Sequence, residues 1–293
     1  MSRERLALGA AALVGVQVGA CIAGSRWVVH DLGPVSLTFL RYAIALASLL
    51  PFLGGAPAAW RRLTVREAVA TALLGLTQFG LLIVLLNLGL QHVDAGLGSL
   101  LFATFPLMTL ALATWAGHER FDAALTAGVL LTVAGVGVAL GVRPPDAGGT
   151  SFAVGVLCVL GSALSGAVCA VLYRPLLQRH AMLPLGALAM AAAVAVLAPA
   201  AWAEGLAARA ASLRTAQWTV VVAVGLSSGV AYWLWLWALK HAAPTKATSF
   251  LALSPVTAAA IGAWALGEVP GPGLLLGLAC IAAGLRVVSV RRQ

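Results

Sequence analysis

The sequence contains very little charge. Aspartate, glutamate, lysine and arginine make up 9% of its 293 residues, against roughly 25% in soluble domains, whereas hydrophobic residues make up 61%. This composition excludes a water-soluble globular domain. The apolar runs also lack the strict alternation of a membrane β-barrel, so we expect a bundle of membrane-spanning helices.

Cysteine and acidic residues are also scarce. The four cysteines lie in apolar segments without metal-ligand spacing, so we expect no metal site and no other cofactor. None of the nine carboxylates falls in the middle of an apolar segment. Because a proton relay within a membrane commonly uses a buried carboxylate, this absence argues against such a relay.

Charged residues divide the chain into apolar segments of about 20 residues, the length that crosses a bilayer as a helix. We predict ten spans, near residues 6–30, 34–53, 65–90, 94–117, 121–142, 151–175, 183–203, 216–240, 246–267 and 272–290. The basic start resembles a signal peptide, but its apolar run continues to about His30. We therefore interpret this run as a retained first span.

The formal net charge of +9 has a topological interpretation. If the N-terminus is cytoplasmic, most lysine and arginine residues fall in cytoplasmic loops, as the positive-inside rule requires. An even number of spans then places the C-terminus in the cytoplasm as well. The basic excess therefore predicts membrane orientation and no nucleic-acid partner.

Two distant stretches of the sequence are alike: FATFPLMTLALATWAGHE begins at Phe102 and LALSPVTAAAIGAWALGE begins at Leu251. At one constant offset, the coinciding pairs are Pro106 and Pro255, Trp115 and Trp264, and Glu119 and Glu268. We predict two repeats, residues 1–142 and 150–290, with five spans each. Because five is odd, the second repeat is inverted, an arrangement typical of alternating-access transporters.

The proline within a span, the motifs WAGHE and WALGE, and the glycine-rich span after each motif resemble the EamA domain of the drug/metabolite transporter superfamily. The resemblance implies ten helices with both termini inside, and a central cavity lined mainly by spans 1, 3, 4, 6, 8 and 9. The chain is similar in layout to EamA-type amino-acid exporters of bacterial inner membranes. This implies a multi-pass inner-membrane exporter of small metabolites, amino acids above all. We expect a monomer or a weak dimer.

Polar and aromatic residues in the middle of spans are the candidates for the substrate site. The predicted binding residues are Gln17, Gln78, Phe79, Phe102, Ser162, Ser165, Ser227, Tyr232, Trp235 and Phe250. Pro106 and Pro255 are the predicted kinks or hinges, because proline removes a helical hydrogen bond. Serine and glutamine also bridge helices in membranes, so a packing role stays open.

Several alternatives remain open. A sugar phosphate or nucleotide-type substrate requires buried basic residues, and the candidates are Arg41, Lys240 and Lys246. Drug efflux favours aromatic walls and a buried acid. The segment GLSSG (225–229) fits a nucleophile elbow, but it lies in an apolar span without a nearby histidine, so we predict no enzymatic activity. A membrane protein without transport activity is a remote alternative.

Overall fold

The computed structural model describes residues 3–54, 60, 61, 63–117, 149–242, 244–269 and 271–290, and the single residues 127, 131, 134, 135 and 138. Within this part of the chain the structure is helical and contains no strand. The first half contains α1 (Arg3–Leu32), α2 (Pro34–Phe52), α3 (Val65–Leu90) and α4 (Ala95–Trp115). The second half contains α5 (Thr150–Arg179), α6 (Met182–Ala203), α7 (Leu206–Ser212), α8 (Thr215–His241), α9 (Pro244–Ser249), α10 (Ser254–Leu266) and α11 (Pro272–Val290).

Among the described residues, seven helices are long and apolar enough to cross a membrane, namely α1 to α6 and α8. The predicted ninth span is divided into α9, a 3-10 turn at Phe250–Leu253, and α10. Helix α11 covers the predicted tenth span. The predicted fifth span, residues 121–142, lies outside the described residues apart from five single positions.

Local sequence signals determine where the helices begin. Gly33 has a φ of 90°, which favours glycine, and it turns the chain between α1 and α2. Pro34 lies in the first turn of α2, where a missing N–H breaks no helical hydrogen bond. Helix α3 begins with a capping box in which the Thr64 hydroxyl accepts from the Glu67 N–H and the Glu67 carboxylate accepts from the Thr64 N–H.

Both predicted kink prolines follow an interruption of a helix. In α4 the interruption is a turn at Ala103 and Thr104, and Pro106 lies in the first turn of the segment that follows. In the second half, the 3-10 turn precedes Pro255, which lies in the first turn of α10. Each proline therefore begins a new helical segment. The role of these positions as hinges stays a prediction.

The two halves pack against each other through matching sets of helices. Helix α1 packs against α8 and α10, and its counterpart α5 packs against α3 and α4. Helix α2 packs against α6 and α8, while α6 also packs against α3. Each of these contacts between a first-half helix and a second-half helix therefore has a counterpart between the corresponding helices of the opposite halves. For example, the contact of α1 with α8 corresponds to the contact of α5 with α3.

Polar contacts distinguish the two ends of the bundle. The end that contains Arg26, Ala95, Glu204 and Glu268 is called the Glu268 end below. The opposite end, called the Glu67 end, contains Glu4, Glu67, His180 and Lys246. Helix α1 runs toward the Glu268 end, whereas α5 ends at Arg179, within 4.0 Å of Glu67. The corresponding helices α1 and α5 therefore run in opposite directions.

The outer surface of the bundle is apolar. Leu13 of α1, Leu157 of α5 and Val230 of α8 are each at least 60% exposed. Trp115 and Trp264, at equivalent positions in the two halves, lie in the last turn of their helices, and each is 88% exposed. A large apolar exterior with tryptophan near helix ends is typical of a surface that contacts lipid.

Candidate substrate site

A cavity of about 90 Å³ lies between the two halves. Residues of α1, α2, α3, α4 and α8 and the 3-10 turn before α10 form its wall. The contributing residues of α1, Val14 to Ile22, lie in the middle of that 30-residue helix, so the cavity lies near mid-depth in the bundle. A space of this size holds several water molecules or a small ligand.

Six of the predicted binding residues line the cavity: Gln17, Gln78, Phe79, Phe102, Tyr232 and Trp235. They come from four helices of both halves, α1, α3, α4 and α8. The structure thus brings together side chains that are far apart in the sequence. Their contact with a substrate stays a prediction.

Aromatic rings form much of the cavity wall. Phe79 lies between two tyrosines, with ring centroids 4.7 Å from Tyr42 and 4.5 Å from Tyr232. Phe105 lies 5.6 Å from Phe102 and 6.2 Å from Trp235. Edge-to-face and tilted contacts at these distances are favourable, so the wall combines apolar surface with defined ring orientations.

Gln78 and Phe79 lie in a π-helical turn of α3, Leu76–Leu81. Such a turn contains one residue more than an α-helical turn and frequently occurs at functional sites. Gln78 lines the cavity, but its side chain forms no hydrogen bond with any residue that the structure describes. Its amide therefore remains accessible to a ligand.

Two adjacent serines of α8 bind two polar side chains of the first half. Gln17 Nε2 donates a hydrogen bond to Ser227 Oγ at 3.1 Å, and Arg41 Nε donates one to Ser228 Oγ at 2.8 Å. Gly225 allows α2 to approach α8 at this level, because a Cβ there would lie 2.7 Å from the Cβ of Ile44. The GLSSG segment thus orients Gln17 and Arg41, and no histidine of the described chain lines the cavity.

Four predicted residues lie outside the cavity wall. Ser162 is completely buried in α5, and the Ser165 hydroxyl donates to the Gly161 carbonyl of its own helix. Ser227 accepts a hydrogen bond from Gln17, which lines the cavity, and Phe250 precedes the wall residue Leu251. Their role in binding also stays a prediction.

Side chains of the first half separate α5 from the cavity. The counterpart of Gln17 in the repeat is Gly166 of α5, and the side chains of Leu82 and Phe105 occupy the space where its Cβ would lie. Both of these residues line the cavity themselves. The resemblance to the EamA domain implied a wall that includes span 6, whereas the observed wall includes α2 in its place.

Arg41, Tyr42, Cys21, Phe105 and Ser228 line the cavity but are absent from the predicted set. Of these five residues, Arg41 stands out in the sequence, because a basic residue in the middle of an apolar span is rare and marks functional positions. Lys240 and Lys246, the other candidates for binding a phosphate group, lie at the Glu67 end. Lys246 pairs with Glu4 at 2.8 Å, and the Lys240 carbonyl accepts a hydrogen bond from Gln178.

Carboxylates of the second half bind the N-termini of first-half helices at the Glu268 end. Glu268 accepts hydrogen bonds from the Ala95 N–H at 3.2 Å and lies 3.7 Å from Arg26 Nε. Glu204 accepts from the N–H groups of Val35 and Ser36. Helix N-termini favour negative charge, so these contacts hold the halves together at this end. Burial raises the pKa of the Glu268 carboxyl, although the Ala95 hydrogen bonds act in the opposite direction.

Known proteins are similar to this chain over nearly its whole length. A probable terminal-alkyne amino-acid exporter of Streptantibioticus cattleyicolor is 30% identical over 88% of this chain and 85% of its own. The uncharacterized transporter YoaV of Bacillus subtilis is 23% identical over 93% of this chain and 94% of its own. A solved crystal structure superposes with a TM-score of 0.68 at 21% identity, covering 97% of this chain and 98% of that protein, and thus shares the fold.

The model of the EamA-like transporter family matches twice, at residues 5–141 and 153–290. The two matches cover nearly the entire chain, and each contains one of the halves that pack around the cavity. The resemblance deduced from the paired proline, tryptophan and glutamate residues is confirmed. The chain is a multi-pass membrane protein built from two EamA repeats and belongs to the EamA-like transporter family.

Proposed function

We propose that this protein exports amino acids across a bacterial inner membrane by alternating access of the central cavity. The observation that carries the proposal is the composition of the cavity wall. Apolar side chains, six of them aromatic, form most of the wall of a small space, and a few polar side chains, Gln17, Gln78 and Arg41, also line it. A wall of this kind suits a small molecule that has an apolar part and a compact polar part.

Similarity to the exporter of Streptantibioticus cattleyicolor supports amino acids as the substrate class. The oppositely directed halves support the mechanism, because an inverted repeat has two related states, each open to a different side. No carboxylate of the described chain lines the cavity. Transport down the substrate gradient is therefore the favoured mode.

The distribution of basic residues supports the orientation of the bundle. Lysines and arginines at the Glu67 end whose side chains the structure describes are Arg3, Arg5, Arg61, Arg66, Arg174, Arg179, Lys240 and Lys246. Those at the Glu268 end are Arg26, Arg209 and Arg214. By the positive-inside rule the Glu67 end faces the cytoplasm and the Glu268 end faces outward. Both termini are then cytoplasmic, with ten spans in two inverted repeats.

Counterflow in proteoliposomes tests the proposal. Vesicles are preloaded with one unlabelled compound, either an amino acid or a sugar phosphate, and uptake of labelled leucine or of labelled sugar phosphate is measured without a pH gradient. We expect uptake after preloading with apolar amino acids and none after preloading with sugar phosphates. Absence of amino-acid counterflow together with a response to labelled sugar phosphate would move the proposal to that substrate class.

Replacement of Gln78 is expected to impair counterflow without affecting the fold. Because the Gln78 side chain lines the cavity and forms no hydrogen bond with described residues, Gln78→Ala removes an amide from the cavity wall without breaking such a bond. Loss of one polar contact should reduce apparent affinity for leucine about tenfold. Gln91→Ala is the matched control, because Gln91 follows α3 at the Glu268 end and does not line the cavity. Unchanged leucine affinity in Gln78→Ala would remove Gln78 from the site.

A further inference from the structure

Arg41 is the one side chain in the described cavity wall that is ionised at neutral pH. It lies near the middle of α2, and 7% of its surface is exposed. Ionisable residues at such depth generally face a cavity and pair with an opposite charge. The group that supplies the negative charge opposite Arg41 therefore indicates what this position binds.

No carboxylate of the described chain pairs with Arg41. The ion pairs lie at the ends of the bundle, where Glu4, Glu67 and Glu268 bind basic side chains. The recorded partners of Arg41 are Ser228 Oγ, which accepts from Nε, and the ring of Tyr42, whose centroid lies 5.5 Å from the guanidinium carbon. Both partners are uncharged at neutral pH.

The Ser228 contact determines which part of the guanidinium remains accessible. Because Nε is engaged, the two Nη groups form the remaining edge, and neither donates a hydrogen bond to the described residues. Two parallel N–H donors match the two oxygens of a carboxylate. Ser228 and the Tyr42 ring hold this edge in place before a ligand arrives.

We propose that Arg41 binds the α-carboxylate of the transported amino acid and thereby selects for it. This inference rests on the proposed export of amino acids. The substrate supplies the negative charge that the protein lacks at this position. Ser228 is then a positioning residue, which acts through its hydrogen bond with Arg41.

Competition between leucine and leucinamide tests the inference, because leucinamide keeps the side chain and amino group but has no carboxylate. Unlabelled leucine or leucinamide is added outside proteoliposomes during counterflow of labelled leucine. We expect leucinamide to compete at least about tenfold less effectively than leucine, since a site built for a polar group rejects the analogue that lacks it. Isopentylamine, the decarboxylated analogue, should compete as weakly as leucinamide.

Variants of Arg41 separate binding from a structural role. In Arg41→Gln the KM for leucine should rise at least about tenfold, and leucine and leucinamide should compete equally. Arg41→Lys keeps the charge but not the paired donors, so it should retain part of the selectivity. Ser228→Ala should raise KM with little change in kcat. Arg66→Gln, which removes an exposed arginine, is the matched control.

Thermal unfolding of the same variants supplies the second readout. An arginine with a structural role would lower the unfolding temperature when replaced, whereas a ligand anchor without a counterion should leave it unchanged or raise it. In the wild type, leucine should raise the unfolding temperature more than leucinamide. This difference should vanish in Arg41→Gln.

The outcomes distinguish the inference from the proposed function. If the wild type exchanges leucine but accepts leucinamide equally well, the inference about Arg41 fails and amino-acid export stands. If the wild type exchanges no amino acid, both fail. If Arg41→Gln does not fold, the wild-type preference for leucine over leucinamide and the partial loss of this preference in Arg41→Lys still test whether Arg41 binds the carboxylate.

Discussion

Oxidation of an Ala95→Cys/Gly262→Cys double variant is expected to abolish counterflow, and reduction is expected to restore it. A Cβ at position 262 would lie 3.7 Å from the Cβ of Ala95, within the range of about 3.5–4.5 Å that a disulfide requires. The bond would join α4 to α10 at the Glu268 end. If that end opens outward during transport, a covalent link across it stops the cycle completely.

The crosslink requires matched controls. Each single cysteine variant should retain counterflow after oxidation, in a background without the four native cysteines that is itself active. Gly96→Cys/Ala259→Cys provides a second lock between α4 and α10, because that Cβ distance is also 3.7 Å. Full counterflow in quantitatively crosslinked protein would show that α4 and α10 stay together at this end throughout transport.

Phe79→Ala is expected to destabilise the protein and to impair binding of apolar substrates. Phe79 is 1% exposed, and its ring contacts both Tyr42 and Tyr232. Phenylalanine to alanine substitutions in cores cost about 3–5 kcal/mol, and each lost aromatic contact contributes about 0.5–1.5 kcal/mol beyond burial. The enlarged cavity also loses a wall, so counterflow of leucine should fall about tenfold or more.

The matched control for Phe79→Ala is Phe52→Ala, because Phe52 is 71% exposed at the end of α2. Thermal unfolding and counterflow are measured on both variants. Phe79→Leu, which keeps apolar volume without the ring contacts, should lie between the wild type and Phe79→Ala. Equal unfolding temperatures for Phe79→Ala and Phe52→Ala would contradict the assigned packing.

Much of the helical arrangement was predictable because hydropathy and breaker residues act locally. The predicted spans at 34–53 and 65–90 agree closely with Pro34–Phe52 and Val65–Leu90. The division of the ninth span was not predictable from hydropathy. The 3-10 turn at Phe250–Leu253 packs against Gly15 of α1, so tertiary packing determines its conformation.

The candidate site was predictable in part. Gln17 and Gln78 are rare polar residues at mid-span, and both line the cavity. The same argument gives the depth of Ser162 but not the direction in which it faces. Its helix, α5, is separated from the cavity by Leu82 and Phe105, a contact that depends on how the halves pack. The depth of a residue in the membrane can thus be predicted from its place in an apolar span, whereas the direction of its side chain depends on how the helices pack.

The most direct test of alternating access uses Cys21, a native residue of the cavity wall. The other three cysteines are replaced by alanine, and a membrane-impermeant maleimide is added to right-side-out and to everted vesicles. Alternating access predicts alkylation of Cys21 from both sides, slowed by leucine in each case. Alkylation from one side alone, or rates unaffected by leucine, would contradict a cavity that opens alternately and binds the amino acid.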